Sequence, residues 1–280
     1  MRRHGIFAAA AALGLALVVA SPAEAIRYGT PDDGQHPYVG IMVGDVLDED
    51  GNSVPQFRCS GTLVSPTIFL TAGHCTFGLD SVTIWFDEDV NNRPVSGFPY
   101  EGPTSVEGTP YTHPEYDDAA FYLHDLGVVV LDEPVVLDEY GVIPELGYFD
   151  ALFARKGAIK ETFTAVGYGL QRSMPAQTGL TEASLERLQA TPLRIINQDA
   201  AFGQNKAGNS VLFSNNANSG GTCSGDSGGP VFIEGTNVIV AVTSYGLNAR
   251  CAGTGGGYRV DTQDDLDWLA TFGIYPGENW

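Results

Sequence analysis

Ten residues constrain this chain more than any others: Gly221-Thr222-Cys223-Ser224-Gly225-Asp226-Ser227-Gly228-Gly229-Pro230. Ser227 is flanked by glycines, follows an aspartate directly and has Cys223 four residues upstream. Glycine serves where a backbone must turn sharply or admit a ligand closely. A serine that attacks a carbonyl also needs backbone N–H groups near its Oγ, to hold the charge that develops on the attacked oxygen. In a tight turn the N–H groups of Gly225 and Ser227 form such an oxyanion hole. A plain Gly/Ser loop between strands would account for the glycines alone, so the rest of the chain has to decide.

Two further segments do so. Leu70-Thr71-Ala72-Gly73-His74-Cys75 and His124-Asp125-Leu126-Gly127-Val128-Val129-Val130-Leu131 precede the serine segment. Together the three resemble the histidine, aspartate and serine motifs of the chymotrypsin-like (trypsin-like) serine proteases, in a secreted, bacterial-type form. Gly73 stands where that family more often has alanine. The order His, Asp, Ser is that family's, and differs from the order in α/β-hydrolases and subtilisins. The resemblance spans nearly all of the chain after residue 25.

Residues 1–25 are read apart from the fold. Arg2, Arg3 and His4 precede an Ala/Leu/Val run, and Ala23-Glu24-Ala25 has the small-x-small pattern of a signal-peptide cleavage site. The expectation is a secreted, extracellular, monomeric protein with no stable membrane association once the signal is removed. A net charge of −20 argues against nucleic acid, which selects basic surfaces. Four cysteines in an exported chain imply two disulfides, with three pairings open to the sequence alone. The resemblance selects Cys59–Cys75, beside the histidine, and Cys223–Cys251, beside the serine. A bridge closing a loop of about 15 residues contributes roughly 3 kcal/mol on the loop-entropy model. Close Cys or His pairs with zinc-ligand spacing are missing, and neither metal nor cofactor is expected. Asp48, Asp50 and Asn52 have a calcium-like rhythm without the later glutamate, and are read as a hairpin tip.

From Ile26 onward the text is short runs rich in Val, Ile, Thr and aromatics, separated by turn signals. Strands are expected at 38–46, 61–65, 68–72, 82–86, 163–167, 188–196, 211–214, 231–233, 238–244 and 257–260. Turns fall at 32–34, 48–52 and 91–94, and residues 138–160 read as an irregular crossover. Helical spacing occurs at Asp264 to Phe272. Many short strands imply a sandwich or barrel. The resemblance implies an all-β fold: two antiparallel six-stranded barrels with a short C-terminal helix. The peptidase domain then divides into a barrel at 26–150 and a barrel with the helix at 151–280.

The resemblance also assigns the chemistry. Ser227 would be the nucleophile, His74 the base that takes and returns its proton, and Asp125 the group that orients the imidazole. His113 is read as a surface residue, His124 as a flank of the strand, and Asp117, Asp118 and Asp132 as solvated turn acids. By the resemblance, Gly221-Thr222 should form the base of the specificity pocket, Ser244-Tyr245-Gly246 one wall and Gly255-Gly256-Gly257, with Gly256 at its centre, the other. Gly221 stands where the trypsin branch has an aspartate, so a buried Lys or Arg would be unpaired and costly. A large apolar or aromatic residue before the scissile bond is favoured. Ile26-Arg27-Tyr28-Gly29 resembles the family's activating N-terminus, whose amine would pair with Asp226; Arg27 departs from that pattern. The expected activity is peptide-bond hydrolysis, with protein or peptide substrates. The competing reading is a catalytically silent homologue acting as an extracellular binding module.

Overall fold

The computed structural model describes residues 26–90, 104–172, 182–183, 185–198 and 209–280. Residues 1–25, read as a signal segment, and the turn expected at 91–94 lie outside the described residues. Among the described residues, runs of branched and aromatic residues form sixteen strands and little helix. After a two-residue strand, β1 (Thr30–Pro31), six strands close into a barrel. These are β2 (Val39–Leu47), β3 (Ser53–Ser65), β4 (Ile68–Thr71), β5 (Ser81–Trp85), β6 (Val106–Thr112) and β7 (Gly127–Leu131), in the order β2-β3-β4-β7-β6-β5. The β2–β3 tip is an aspartate-anchored turn, in which the N–H groups of Asp50 and Asn52 donate to Asp48 at 3.0 and 2.7 Å. β6 was not expected, because Glu107, Gly108 and Pro110 obscure its alternation. It nevertheless closes the ring between β5 and β7.

The second half begins with a short helix, α1 (Tyr148–Phe153), inside the segment read as irregular. Asp261 accepts the Phe149 N–H at 2.8 Å, and Phe149 is fully buried, so the helix is held by tertiary contacts rather than by its own length. Next come β8 (Phe163–Gly167), β9 (Leu170–Arg172), β10 (Glu182–Ala183), β11 (Leu188–Leu193) and β12 (Ile195–Asn197). They are followed by β13 (Ser210–Asn215), β14 (Pro230–Ile233), β15 (Ile239–Gly246), β16 (Gly253–Arg259) and α2 (Gln263–Ala270). Eight strands make one curled sheet, ordered β1-β11-β8-β14-β15-β16-β13-β12, while β9 pairs with β10 apart from it. The expected single run at 188–196 is split in two, with Pro192 at the register shift between Ala190 and Leu193.

A boundary near residue 150 does not separate the contacts cleanly. β1 pairs with β11, and Ile26 is buried with Phe149, Phe163 and Leu188 of the second half. The first barrel's core also continues into Val166, Tyr168, Phe232 and Tyr258. At this junction lies a buried ion pair: Arg187 Nε donates to Asp32 at 2.9 Å, with side chains 3% and 0% exposed. The guanidinium also reaches the carbonyls of Val39 and Phe86, both at 3.2 Å. Burial alone would raise the Asp32 carboxyl, but its bonds to His36 and the charges of His36 and Arg187 hold it below the usual range.

Removing one partner of a buried pair leaves the other uncompensated. Arg187→Met should cost about 3–5 kcal/mol in urea unfolding, and adding Asp32→Asn should restore part of that loss. A single-variant cost below about 1 kcal/mol would place this pair with ordinary surface bridges.

Candidate active site

The histidine segment sits where β4 runs into a one-turn 3₁₀ helix, Gly73–Cys75. A Cβ at Gly73 would come within 2.9 Å of the Tyr116 ring and 3.1 Å of the Leu126 backbone, which gives this glycine a packing reason. Cys75 is joined to Cys59 of β3, so the histidine turn is tied covalently to the barrel wall. Asp125 lies just before β7 and is fully buried. His74 Nδ1 is 3.0 Å from its Oδ2, and the His74 backbone N–H donates to Oδ1 at 2.8 Å. Ser244, at the end of β15 in the other half, donates to Oδ2 at 2.5 Å. The carboxylate thus receives donors from both halves. Burial would push the His74 imidazole down, but the charge and hydrogen bond of Asp125, with Asp118 adding, leave it raised above its ordinary value.

The serine loop is locked against the same barrel. Gly225 and Gly228 have φ of +96° and +76°, which favour glycine. A Cβ at Gly228 would lie 2.0 Å from Thr71 Oγ1 and 2.8 Å from Ala72 N, so the residue after Ser227 presses on the segment leading to His74. Ser60 fixes the other side. Its N–H donates to the Ser227 carbonyl at 2.8 Å, and its hydroxyl donates to the Gly225 carbonyl at 2.9 Å. The two peptide planes that carry the Gly225 and Ser227 N–H groups are also held. The Ser224 carbonyl accepts from Leu170 N–H at 2.7 Å, and the Asp226 carbonyl accepts from Gly229 N–H at 2.8 Å. In a trans peptide N–H points opposite to C=O, so both N–H directions are set in advance.

Asp226 is fully buried, and its carboxylate accepts the N–H groups of Gly169 and Cys223 at 2.7 and 2.8 Å. Burial raises it to about 7 against the lowering effect of those bonds and of the Arg58 charge. Ile26 is buried among Phe149, Phe163 and Leu188, and the Arg27 carbonyl accepts the Gly221 N–H at 3.0 Å. The Arg27 side chain stays at the surface: its guanidinium donates to the Cys251 carbonyl at 3.0 Å and lies 4.9 Å from the centre of the Tyr28 ring. Cys251 is bonded to Cys223, closing the loop beside the serine.

Next to Ser227 opens a cavity of about 300 Å³, lined by Thr222, Thr243, Ser244, Tyr245 and Gly246 among others. Gly221, expected at its base, and Gly255-Gly256-Gly257, expected along one wall, are not in this lining. Gly221 is backed by Asn215, and a Cβ at Gly256 would meet the Tyr245 ring at 2.4 Å. Gly255 is the glycine that faces Thr222, where a Cβ would lie 2.6 Å from Oγ1. Sequence reading did not find Asn215 or Ser60, because neither belongs to a motif and both act through distant segments.

The remaining histidines lie apart from this cleft. His113, expected at the surface, is 4% exposed, with its ring edge-to-face on Trp268. Its Nδ1 accepts the Glu115 N–H at 3.3 Å. His124 lies between Glu115 and Asp264, 3.4 and 3.2 Å from their carboxylates. His113, His124 and Asp264 bring potential metal-ligating atoms together, but the Glu115 bond already occupies one His113 nitrogen. Cys59 and Cys75 near His74 offer no thiolate, being disulfide-bonded.

The family model described as Trypsin matches residues 33–269. A brachyurin from Leptuca pugilator is 29% identical over 229 residues, covering 79% of this chain and 90% of the relative. A trypsin from Saccharopolyspora erythraea is 29% identical over 237 residues, covering 82% and 91%. The solved structure of HL collagenase superposes with a TM-score of 0.64 over 90% of this chain and 99% of that one, at 20% identity, a likeness of fold.

The buried Asp226 yields a test on the chain before any cleavage ahead of Ile26. Its raised folded-state value means that the folded form keeps a proton between about pH 4 and 7 that the unfolded form has lost. Its stability contribution is therefore full below about pH 4 and declines as pH rises to about 7. Asp226→Asn should remove that decline, so the difference in Tm between variant and wild type should shift in the variant's favour across this window. A constant difference would show that Asp226 ionises in the fold as it does in the open chain.

Proposed function

We propose that this chain, which belongs to the trypsin family of serine endopeptidases, cleaves peptide bonds through Ser227, His74 and Asp125. The observation that carries this reading is the Asp125 carboxylate, buried and bonded to His74 from one half and Ser244 from the other. An acceptor held there fixes the imidazole with Nδ1 protonated and leaves Nε2 to take the proton of Ser227. Attack of Oγ on the carbonyl gives a tetrahedral oxyanion, for which the N–H groups of Gly225 and Ser227 are the donors. Collapse expels the amine with the proton returned by His74, and water then releases the acyl group by the same steps.

The cavity beside Ser227 receives the side chain before the scissile bond. Its lining of Thr, Ser, Tyr, Gly, Asn, Ala and Cys carries no acid, so Lys or Arg would enter without a counter-charge. An aromatic or large apolar body suits it better. The chain acts outside the cell as a monomer on proteins or peptides, without a cofactor; the signal-like residues 1–25 and the two disulfides support export.

Cleavage before Ile26 supplies the activating amine. Burial of Ile26 and the bond from Gly221 to Arg27 O already seat the segment in the second half, and Asp226 lacks an ion pair among the described residues. A paired ammonium would have its pKa raised above the open-chain value of about 8. The stabilisation is then present below that value and lost as pH rises through the folded one.

Ser227→Ala and His74→Ala should lower kcat by several orders of magnitude, with Asp125→Asn close behind. Fluorophosphonate should label wild type and spare Ser227→Ala. Because His74 is raised, the acid limb of kcat/KM should lie above about pH 6.5 and move down in Asp125→Asn. Near-full peptidase activity in His74→Ala would overturn the triad assignment.

Intact mass of the secreted protein should begin at Ile26, and an added N-terminal alanine should sharply reduce activity. Full activity with that extension would separate Asp226 from the amine.

A further inference from the structure

A second cavity, of about 600 Å³, opens at the junction of the two halves and shares no lining residue with the one beside Ser227. His36 and Tyr38 reach it from the segment before β2, and Glu139 from the link between the halves. Gln189 comes from β11, and Glu234 and Asn237 from the turn joining β14 to β15. No Lys or Arg lines it. Tyr38 and Gln189 are only 2% and 8% exposed, yet neither side chain makes a hydrogen bond among the described residues. Neither polar end belongs to the sealed, unpartnered atoms of the interior, so both open to the cavity they line.

The polar groups around this cavity commit their donors inward and keep acceptors for the hollow. His36 Nδ1 is 2.5 Å from Asp32 Oδ1, and the His36 backbone N–H donates to Oδ2 at 2.9 Å. Asp125 holds His74 in the same way. With Nδ1–H given to the carboxylate, Nε2 of the neutral ring is an acceptor. Asn237 Nδ2 donates to the Tyr140 carbonyl at 2.7 Å, which leaves its Oδ1 over. Glu234 takes the Thr162 hydroxyl on one carboxylate oxygen and has a second. Burial raises the Tyr38 phenol and the charge of Glu139 adds to it, so that carboxylate stands near the Tyr38 oxygen. An acidic hollow lined with acceptors suits a ligand that carries both donors and positive charge.

We propose that this second cavity binds a guanidinium group, with His36, Tyr38, Gln189 and the carboxylates of Glu139 and Glu234 as its acceptors. A guanidinium is all donors, spreads them in a plane and sheds water more readily than an ammonium. A metal ion fits poorly, because among the described residues His36 belongs to no group of ligating atoms close enough to share one ion. An anion would meet two carboxylates and no cation. The net charge of −20 also draws cations toward the surface. The occupant is either a small free guanidino compound or the arginine side chain of a polypeptide, since both present the same group. Because the walls come from both halves, an occupant bridges them and stabilises the fold by mass action. This site is separate from the triad and does not rest on it.

The test measures binding of ethylguanidinium to the full protein by calorimetry, at about 0.15 M salt so that diffuse attraction to the charged surface is screened. Wild type should bind it saturably with a Kd of about a millimolar or tighter, and Tm should rise with its concentration. Ethylurea, of the same shape without the charge, should bind about tenfold more weakly or worse. Combining Glu139→Gln with Glu234→Gln, both on exposed residues, should weaken ethylguanidinium binding by about tenfold or more and leave fluorophosphonate labelling of Ser227 unchanged. Gln189→Leu should weaken it as well; if that variant does not fold, the glutamate variant carries the test. N-acetyl-arginine amide distinguishes the two sources: tighter binding than ethylguanidinium identifies a polypeptide arginine, weaker binding a small free compound. Lack of saturable binding, equal binding of ethylurea, or a Kd that survives the double glutamate variant would overturn this inference, whatever becomes of the triad.

Discussion

Ser60 is the residue on which the geometry of the cleft depends. It belongs to the first barrel, yet its N–H holds the Ser227 carbonyl and its hydroxyl holds the Gly225 carbonyl. The same hydroxyl accepts the Tyr168 N–H at 3.1 Å, which ties in the strand end beside Asp226. Thr71 Oγ1 donates to the Ser60 carbonyl at 2.9 Å, three residues before His74. The preceding residue, Cys59, is bonded to Cys75, one residue after His74. One short stretch of β3 therefore holds the serine loop and the histidine turn in a common frame. Preorganisation of this kind lets the donors meet developing charge without rearranging.

The buried carboxylates divide the remaining work. Asp125 is met by side chains and a backbone N–H and keeps an imidazole oriented. Asp32 is met by Arg187 and His36 and joins β1 to both halves. Asp226 is met by backbone N–H groups, and burial dominates its ionisation. Each acid is equally invisible as a type in a chain with 34 of them. Their different behaviour comes from what faces them, since a fixed cation favours the charged form and burial opposes it.

Much of the fold was legible. Strand β8 coincides with the expected run at 163–167, and β2, β4, β5 and β14 depart from expectation by a residue or so at their ends. α2 was readable from the recurrence of Leu266 and Leu269 on one face. The failures share a cause. β6 contains Glu, Gly and Pro but is recruited by two neighbours already in register, and α1 is too short to declare itself. In both, tertiary partners outweigh local propensity.

The sequence by itself determined the family resemblance, the order of the three motifs and the glycines that a tight serine loop requires. Those signals are local, because backbone conformation and nucleophile context are written within a few residues. Tertiary structure alone decided that Gly255 rather than Gly256 faces Thr222, that Asn215 occupies the space behind Gly221, and that Ser244 bonds to Asp125. These depend on strand register and on the meeting of segments as much as 119 residues apart. A one-residue change of register exchanges the two faces of a strand, and no short motif records which face the fold will choose.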